Sequence, residues 1–391
     1  MTTALTNSRT APRFPEWPQY DDTERSALTR ALEQGQWWRV GGGEVDAFER
    51  EFAALHGGGH ALAVTNGTHA LELALQVLGV GPGDEVIVPA FTFISSSQAA
   101  QRLGATAVPV DVDLATYNID PAAAEAAITA RTKVIMPVHM AGRIADLDAL
   151  GKVAERAGVA LLQDAAHAHG AEWKGRKVGE LGSVAAFSFQ NGKLMTAGEG
   201  GLVLFPDEEG RDLAFVRHSC GRPPGDTRYL HRTSGSNFRL NEFSAAVLRA
   251  QLSRLTAQVE TRERRAAVLE PLLAGVPGVV PQGRDERATR VPHYMAMFRV
   301  PGIGEERRNA LVAELVRRGL PAFVVFRAIY RTDGFWETGA PDATREELAE
   351  RCPNTELIHA EGIWLHHRTL LAGEDEVRAI PEIIADALET L

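Results

Sequence analysis

Cysteine is scarce in this chain. Cys220 and Cys352 are the only two in 391 residues, which excludes a disulfide scaffold and fits a reducing, cytoplasmic setting. Neither lies in metal-ligand spacing, and no metal is expected. The histidine pairs His167/His169 and His366/His367 lack nearby carboxylate or thiol ligands at useful spacing. No apolar run reaches the roughly 20 residues that cross a bilayer, so no membrane partner is expected. The stretch "MTTALTNSRTAPRFPEWPQ" lacks a basic segment followed by an apolar one, so it is no secretion signal, and residues 1 to 12 read as a loose tail. A basic surplus is missing too: the net charge of −10 argues against a nucleic-acid surface. Rarest among the charged residues is lysine. Of 41 basic residues only Lys133, Lys152, Lys174, Lys177 and Lys193 are lysine, the rest being arginine.

What is present is an alternation of β-branched apolar runs with helical patterns. "HALAVT" precedes "THALELALQVLG", "DEVIVPA" precedes "SSSQAAQRLG", and "TAVPVDV" precedes "PAAAEAAITA". "TKVIMPV", "LDALGKVAERAG" and "VALLQDA" continue it, and "SVAAFSF" and "GGLVLF" add two more strands. Such alternation predicts an α/β fold with a mostly parallel sheet covered by helices. Residues 243–275 read as long helices, followed by a small α+β region containing "HYMAMFRV", "LPAFVVF" and "EGIWLHH". The length calls for two units: a large domain over 13–250, then a linking helix and small C-terminal domain over 251–391.

In an open α/β sheet, ligands sit at the carboxyl ends of strands. "VTNGTHAL" puts Gly67 and Thr68 at a helix start, where backbone N–H groups suit a phosphate; Thr68 as a plain helix cap is the other reading. Asp164 directly follows an apolar strand and needs a cationic or donor partner if buried, or is an ordinary turn aspartate. Phe91 and Phe93 end another strand, as core residues or as a stacking face. Lys133, Lys152, Lys174 and Lys177 read as solvated charges. Lys193 differs, because it lies in the Gly-rich loop of "FSFQNGKLMTAGEGG" between two strands. An amine that must lose its proton to attack a carbonyl cannot be replaced by arginine. Phosphate cradle, carboxylate, aromatic face and lysine together are what pyridoxal 5'-phosphate (PLP) requires.

These residues, in this order, resemble the DegT-type aminotransferases, the sugar-modifying branch of the aspartate-aminotransferase-like fold (fold type I of the PLP enzymes), from about Trp17 to the C-terminus. The resemblance implies a large PLP domain, a smaller C-terminal domain and a homodimer with shared active sites. It makes Lys193 the Schiff-base lysine, Asp164 the partner of the pyridine nitrogen and Phe93 the stacking ring. Gly67, Thr68 and Ser188 hold the phosphate, and His167 lies near the cofactor's 3-hydroxyl. In "GSNFRLNEFSA" it nominates Asn237, supported by Arg239, as reaching the neighbouring subunit's phosphate. Two departures stand out: "PVHMAG" (Pro137 to Gly142) where sugar-modifying members usually read "PVHLYG", and "DAAHAHGA" where they read "DAAQAHGA". Both are shared with a branch that dehydrates and aromatises 5-amino-5-deoxy-3-dehydroshikimate into a starter unit of ansamycin- and mitomycin-type antibiotics. The resemblance thus implies a PLP-dependent lyase acting on this aminoshikimate. A PLP-dependent aminotransferase for a keto-sugar nucleotide or keto-cyclitol is the alternative, and a PLP-binding regulator a third.

A substrate carboxylate needs a cationic or donor-rich receptor. Trp38 and Arg39, Arg217 with His218, Arg327 and Tyr330 are the candidates, and Trp37 with Trp38 lines either a pocket or a domain junction. "VGGGEV" raises a dinucleotide site, weakly, because no convincing strand precedes it.

Overall fold

The structure is a computed structural model that describes residues 13–391; the tail assigned to residues 1–12 lies outside them. Seven strands form the central sheet: β1 His60–Val64, β2 Glu85–Pro89, β3 Thr106–Val110, β4 Thr132–Ile135, β5 Ala160–Asp164, β6 Val184–Ser188 and β7 Gly201–Phe205. Their order across the sheet is β1-β7-β6-β5-β4-β2-β3. Only β7 runs against the others, paired antiparallel to both β1 and β6. β2, β6 and β7 are buried at every position, as their unbroken apolar runs require of strands covered on both faces. The expected α/β sheet is present.

The carboxyl ends of β1, β2, β5 and β6 all open on one edge. There "VTNGTHAL" becomes a turn and helix α1 (Gly67–Val77). This junction is too tight for any other side chain: a Cβ on Gly67 would lie 2.6 Å from Ser188 Cβ, and one on Gly201 would lie 2.2 Å from the Asn66 carbonyl oxygen.

Residues 242–274 form one helix, α2 (Glu242–Ala274), where the sequence pattern read as several. Ala245, Leu248, Leu252, Leu255 and Val259 pack into the core that contains Phe48, Phe52 and Phe187. Ala266, Leu269 and Leu273 pack beneath a second sheet with Phe298 and Ile363. The alternating three- and four-residue spacing keeps one apolar stripe on one face for about 50 Å, so a single rod serves both cores. The second sheet comprises Val280–Pro281, Met295–Arg299, Gly362–His366 and Ala322–Val324, in that spatial order. No helix among the described residues is long and apolar enough to cross a membrane.

Candidate active site

A cavity of about 520 Å³ opens at the carboxyl edge of the central sheet, lined by Gly67, Thr68, Phe93, Asp164, His167, Ser188 and Lys193. Seven of the positions singled out in the sequence therefore meet in one place. At its floor, Asp164 ends β5 and is buried. Burial raises its carboxyl pKa, while Ser96 Oγ (2.8 Å), the Ala166 N–H (3.2 Å) and the charge of Lys193 hold the ionised form against that trend.

Lys193 is fixed by its loop: its N–H donates to the Gln190 carbonyl at 2.8 Å. Its Nζ lies 4.6 Å from the centre of the Tyr294 ring. Burial pushes the amine pKa down to about 8, with Asp164 acting the other way. An amine so placed is partly neutral near physiological pH, as a nucleophile or base must be.

His167 stacks on Tyr294, with ring centres 4.2 Å apart. Burial, then the charge of Lys193, holds its pKa well below the usual value, so it is a neutral imidazole. Its Nδ1 is buried without a hydrogen-bond partner.

At the mouth, the helix cap is Asn66, whose side chain accepts the His69 N–H at 2.8 Å. Thr68 is thus not the cap; its hydroxyl donates to Ser95 Oγ at 2.9 Å. The α1 N-terminus faces the cavity beside Ser188, with the positive end of its dipole outward. Phe91 is fully buried in the core, whereas Phe93 is 56% exposed on the cavity wall. These features fit PLP: a carboxylate at depth, an amine beside it, an exposed ring and a helix N-terminus closed against Ser188.

The substrate-contact candidates do not join them. Arg39 is engaged within the chain: its guanidinium pairs with Glu49, with Nη2 at 2.7 Å from Oε2, and with Asp46 at 3.1 Å. Tyr330 is engaged too: it is fully buried and its hydroxyl donates to Glu356 at 2.7 Å. Arg327 lies 3.7 Å from Glu305, on a separate cavity with Arg331 and Arg345. Trp38, Arg217 and Asn237 also lie outside the lining. Trp37 packs on Phe243, Trp38 lies under Arg239, and His218 is buried with Nδ1 at 2.6 Å from the Phe215 carbonyl. The "VGGGEV" turn is already filled by the protein itself. Glu242 accepts the N–H groups of Gly43 (2.7 Å), Glu44 (2.6 Å) and Val45 (3.3 Å), leaving no dinucleotide site.

Sequence reasoning missed Tyr294, Phe326, Thr92, Ser95 and Ser96, all in the lining. Tyr294 sits immediately before a strand of the second sheet and reads as part of its apolar run. The serines read as the polar start of a helix. No group of three or more potential metal ligands occurs among the described residues.

The "3-amino-5-hydroxybenzoate synthase" of Amycolatopsis mediterranei is 70% identical over 384 residues, covering 98% of this chain and 99% of that protein. The crystal structure of 3-amino-5-hydroxybenzoic acid (AHBA) synthase superimposes with a TM-score of 0.97 at 69% identity, covering 98% of this chain and 100% of that one. A putative sugar aminotransferase from Streptococcus pneumoniae, solved in its PLP form, gives a TM-score of 0.88 at 25% identity, covering 98% and 100% of the two chains. The model of the DegT/DnrJ/EryC1/StrS aminotransferase family matches residues 18–384. With the strand order, the cavity and that match in agreement, the chain belongs to the DegT/DnrJ/EryC1/StrS aminotransferase family.

Proposed function

We propose that this chain is a PLP-dependent AHBA synthase, a lyase that dehydrates and aromatises 5-amino-5-deoxy-3-dehydroshikimate. The observation that carries the reading is the placement of Lys193 and Asp164 on one cavity beside the α1 N-terminus. The 70% identical synthase supports the choice of branch. So does the meeting of two departures from the sugar pattern, Ala141 and His167, around the ring of Tyr294. The Ala141 carbonyl accepts the N–H of Tyr294, the ring stacked on His167.

In this reading Gly67, Thr68 and Ser188 would hold the phosphate, Phe93 would pack on the ring and His167 would serve the 3-hydroxyl. Lys193 would hold PLP covalently through its amine, and Asp164 would pair with the protonated pyridine nitrogen. When bound, PLP withdraws electrons from the substrate carbon that bears the amine. The Lys193 amine would act as the base that removes the proton from that carbon, and its depressed pKa suits it to the task. The hydroxyl on the neighbouring carbon leaves as water, and enolisation of the ring ketone completes the aromatic ring. Tethering the base beside the carbon it must deprotonate saves much of the cost of bringing them together.

Asn237 is exposed and outside its own chain's cavity. That placement supports a homodimer in which it reaches the phosphate in a second copy, with Arg239 alongside. We also propose that residues 13–250 form the PLP-holding unit and 251–391 the linking helix and smaller domain.

Supplying purified protein with PLP and the aminoshikimate, and following the rise of aromatic absorbance, tests the reading. Lys193→Ala should lose both the absorbance of covalently held PLP and turnover; full turnover in that variant excludes the assignment. Product from a keto-sugar nucleotide with glutamine, and none from the aminoshikimate, would replace the lyase with an aminotransferase.

A further inference from the structure

Behind the Lys193 loop lies a buried arginine with no counter-ion. Arg262, on α2, is fully buried, and among the described residues no carboxylate pairs with it; its Nε and Nη1 have no hydrogen-bond partner. Among the described residues its one hydrogen bond runs from Nη2 to Nδ1 of His367 at 3.2 Å. A guanidinium has no acceptor, so His367 Nδ1 must be the acceptor and the imidazole proton must sit on Nε2. That nitrogen lies 3.1 Å from the carbonyl oxygen of Gly192, to which it therefore donates. His367 is itself fully buried, with Trp17 edge-on at 4.5 Å. Trp17 Nε1 donates to the Asn191 carbonyl at 3.0 Å, so adjacent carbonyls of the loop are pinned from one side.

A buried cation with no carboxylate partner costs several kcal/mol; the Trp17 ring, centred 5.6 Å from the guanidinium carbon, returns only part of this, and a neutral apolar residue would fill the space without that cost. What a donor such as Arg262 supplies is a bond to Nδ1, which fixes the plane of the imidazole and reinforces the Nε2–H tautomer that the Gly192 carbonyl favours. Without it, His367 Nδ1 is left buried with no donor and the ring loses its second anchor, so its grip on the Gly192 carbonyl loosens.

We propose that Arg262 and His367 are positioning residues: by fixing the imidazole with its proton on Nε2 they clamp the Gly192 carbonyl and so hold Lys193 in place at the cavity. The clamp rests on the role of Lys193 given above, but its structural half is testable without the cofactor.

Hydrogen exchange on the cofactor-free protein should show the peptide spanning 190–194 exchanging on the order of tenfold faster in His367→Leu and in Arg262→Met. His367→Gln, which keeps a donor at the position of Nε2, should retain protection. With PLP, Leu and Met should lower kcat on the order of tenfold or more with KM within about twofold, and Gln should restore most of it. The clamp is overturned if the 190–194 peptide exchanges as in wild type in Arg262→Met, if exchange rises equally along the whole chain, or if Gln behaves no better than Leu. Should Leu fail to fold, the Met and Gln variants decide alone. Failure of wild type to bind PLP would remove the proposed function yet leave the exchange result standing.

Discussion

Replacing Lys193 by methionine should stabilise the cofactor-free protein while abolishing its chemistry. Burial moves the amine pKa from 10.5 to about 8, a position that already includes the attraction of Asp164. At 1.36 kcal/mol per unit, keeping the ammonium charged at pH 7 costs the folded state about 3 kcal/mol. The Tyr294 ring beneath Nζ returns about 1 kcal/mol. Methionine is unbranched, apolar and of similar length, so it fills the same space without charge. A net gain of about 2 kcal/mol at pH 7 is expected. It depends on pH in one direction. Between about 8 and 10.5 the unfolded chain still holds the proton that the folded chain has lost, so wild-type stability climbs with pH across that window. The advantage of the variant should therefore shrink to less than about 1 kcal/mol by pH 10. Urea unfolding of both cofactor-free proteins at pH 7, 8, 9 and 10 measures this directly. A difference that stays constant from pH 7 to 10, or a variant less stable throughout, would refute a desolvated amine at this position.

Gly67→Ala drives a methyl group against Ser188 Cβ at 2.6 Å; it should cost about 1–3 kcal/mol and weaken PLP binding, seen as a higher Kd in absorbance titrations. Arg39→Met should cost about 3–5 kcal/mol by stranding the buried Glu49 carboxylate, and leave KM of the surviving enzyme unchanged; a raised KM at unchanged stability would return Arg39 to the substrate. Glu242→Gln removes the charge that accepts three N–H groups of the glycine turn, and a loss of about 1–3 kcal/mol is expected from denaturant midpoints. If Asn237 serves a second copy, mixing inactive Lys193→Ala and Asn237→Ala proteins should restore about a quarter of wild-type activity, since half the dimers are mixed and each holds one intact site; no recovery after subunit exchange is confirmed would exclude that role.

Which of these features could be read from the sequence depends on how far apart the interacting groups lie along the chain. β1, β2, β5 and β6 were legible because each is a short apolar run, and a parallel sheet brings their carboxyl ends to one edge whatever the loops between them do. Asp164 and Gly67 sit at or three residues beyond such an end, so strand position pointed to them, whereas Ser188, which ends β6, was named only through the family resemblance. Lys193 was legible for a chemical reason, being an amine in a chain that otherwise uses arginine. Tyr294 and Phe326 carry no such marker. They reach the cavity from the second sheet, about a hundred residues later, and only the packing of that sheet on α2 decides which of its aromatic residues look inward. The same limit applies to the "VGGGEV" turn, which looked vacant because Glu242, which fills it, is about 200 residues away. Arg39 is a different case: its bidentate partner Glu49 is close in sequence, within the helix Glu44–Leu55 that follows, and only the turn between them brings the two together. A charged side chain is assigned to a ligand only after every carboxylate the fold brings near it has been counted. Arg262 shows the converse. It lies in an amphipathic helix pattern where an arginine reads as a solvated charge, yet the fold buries it without a carboxylate and turns its single hydrogen bond towards the loop that carries Lys193.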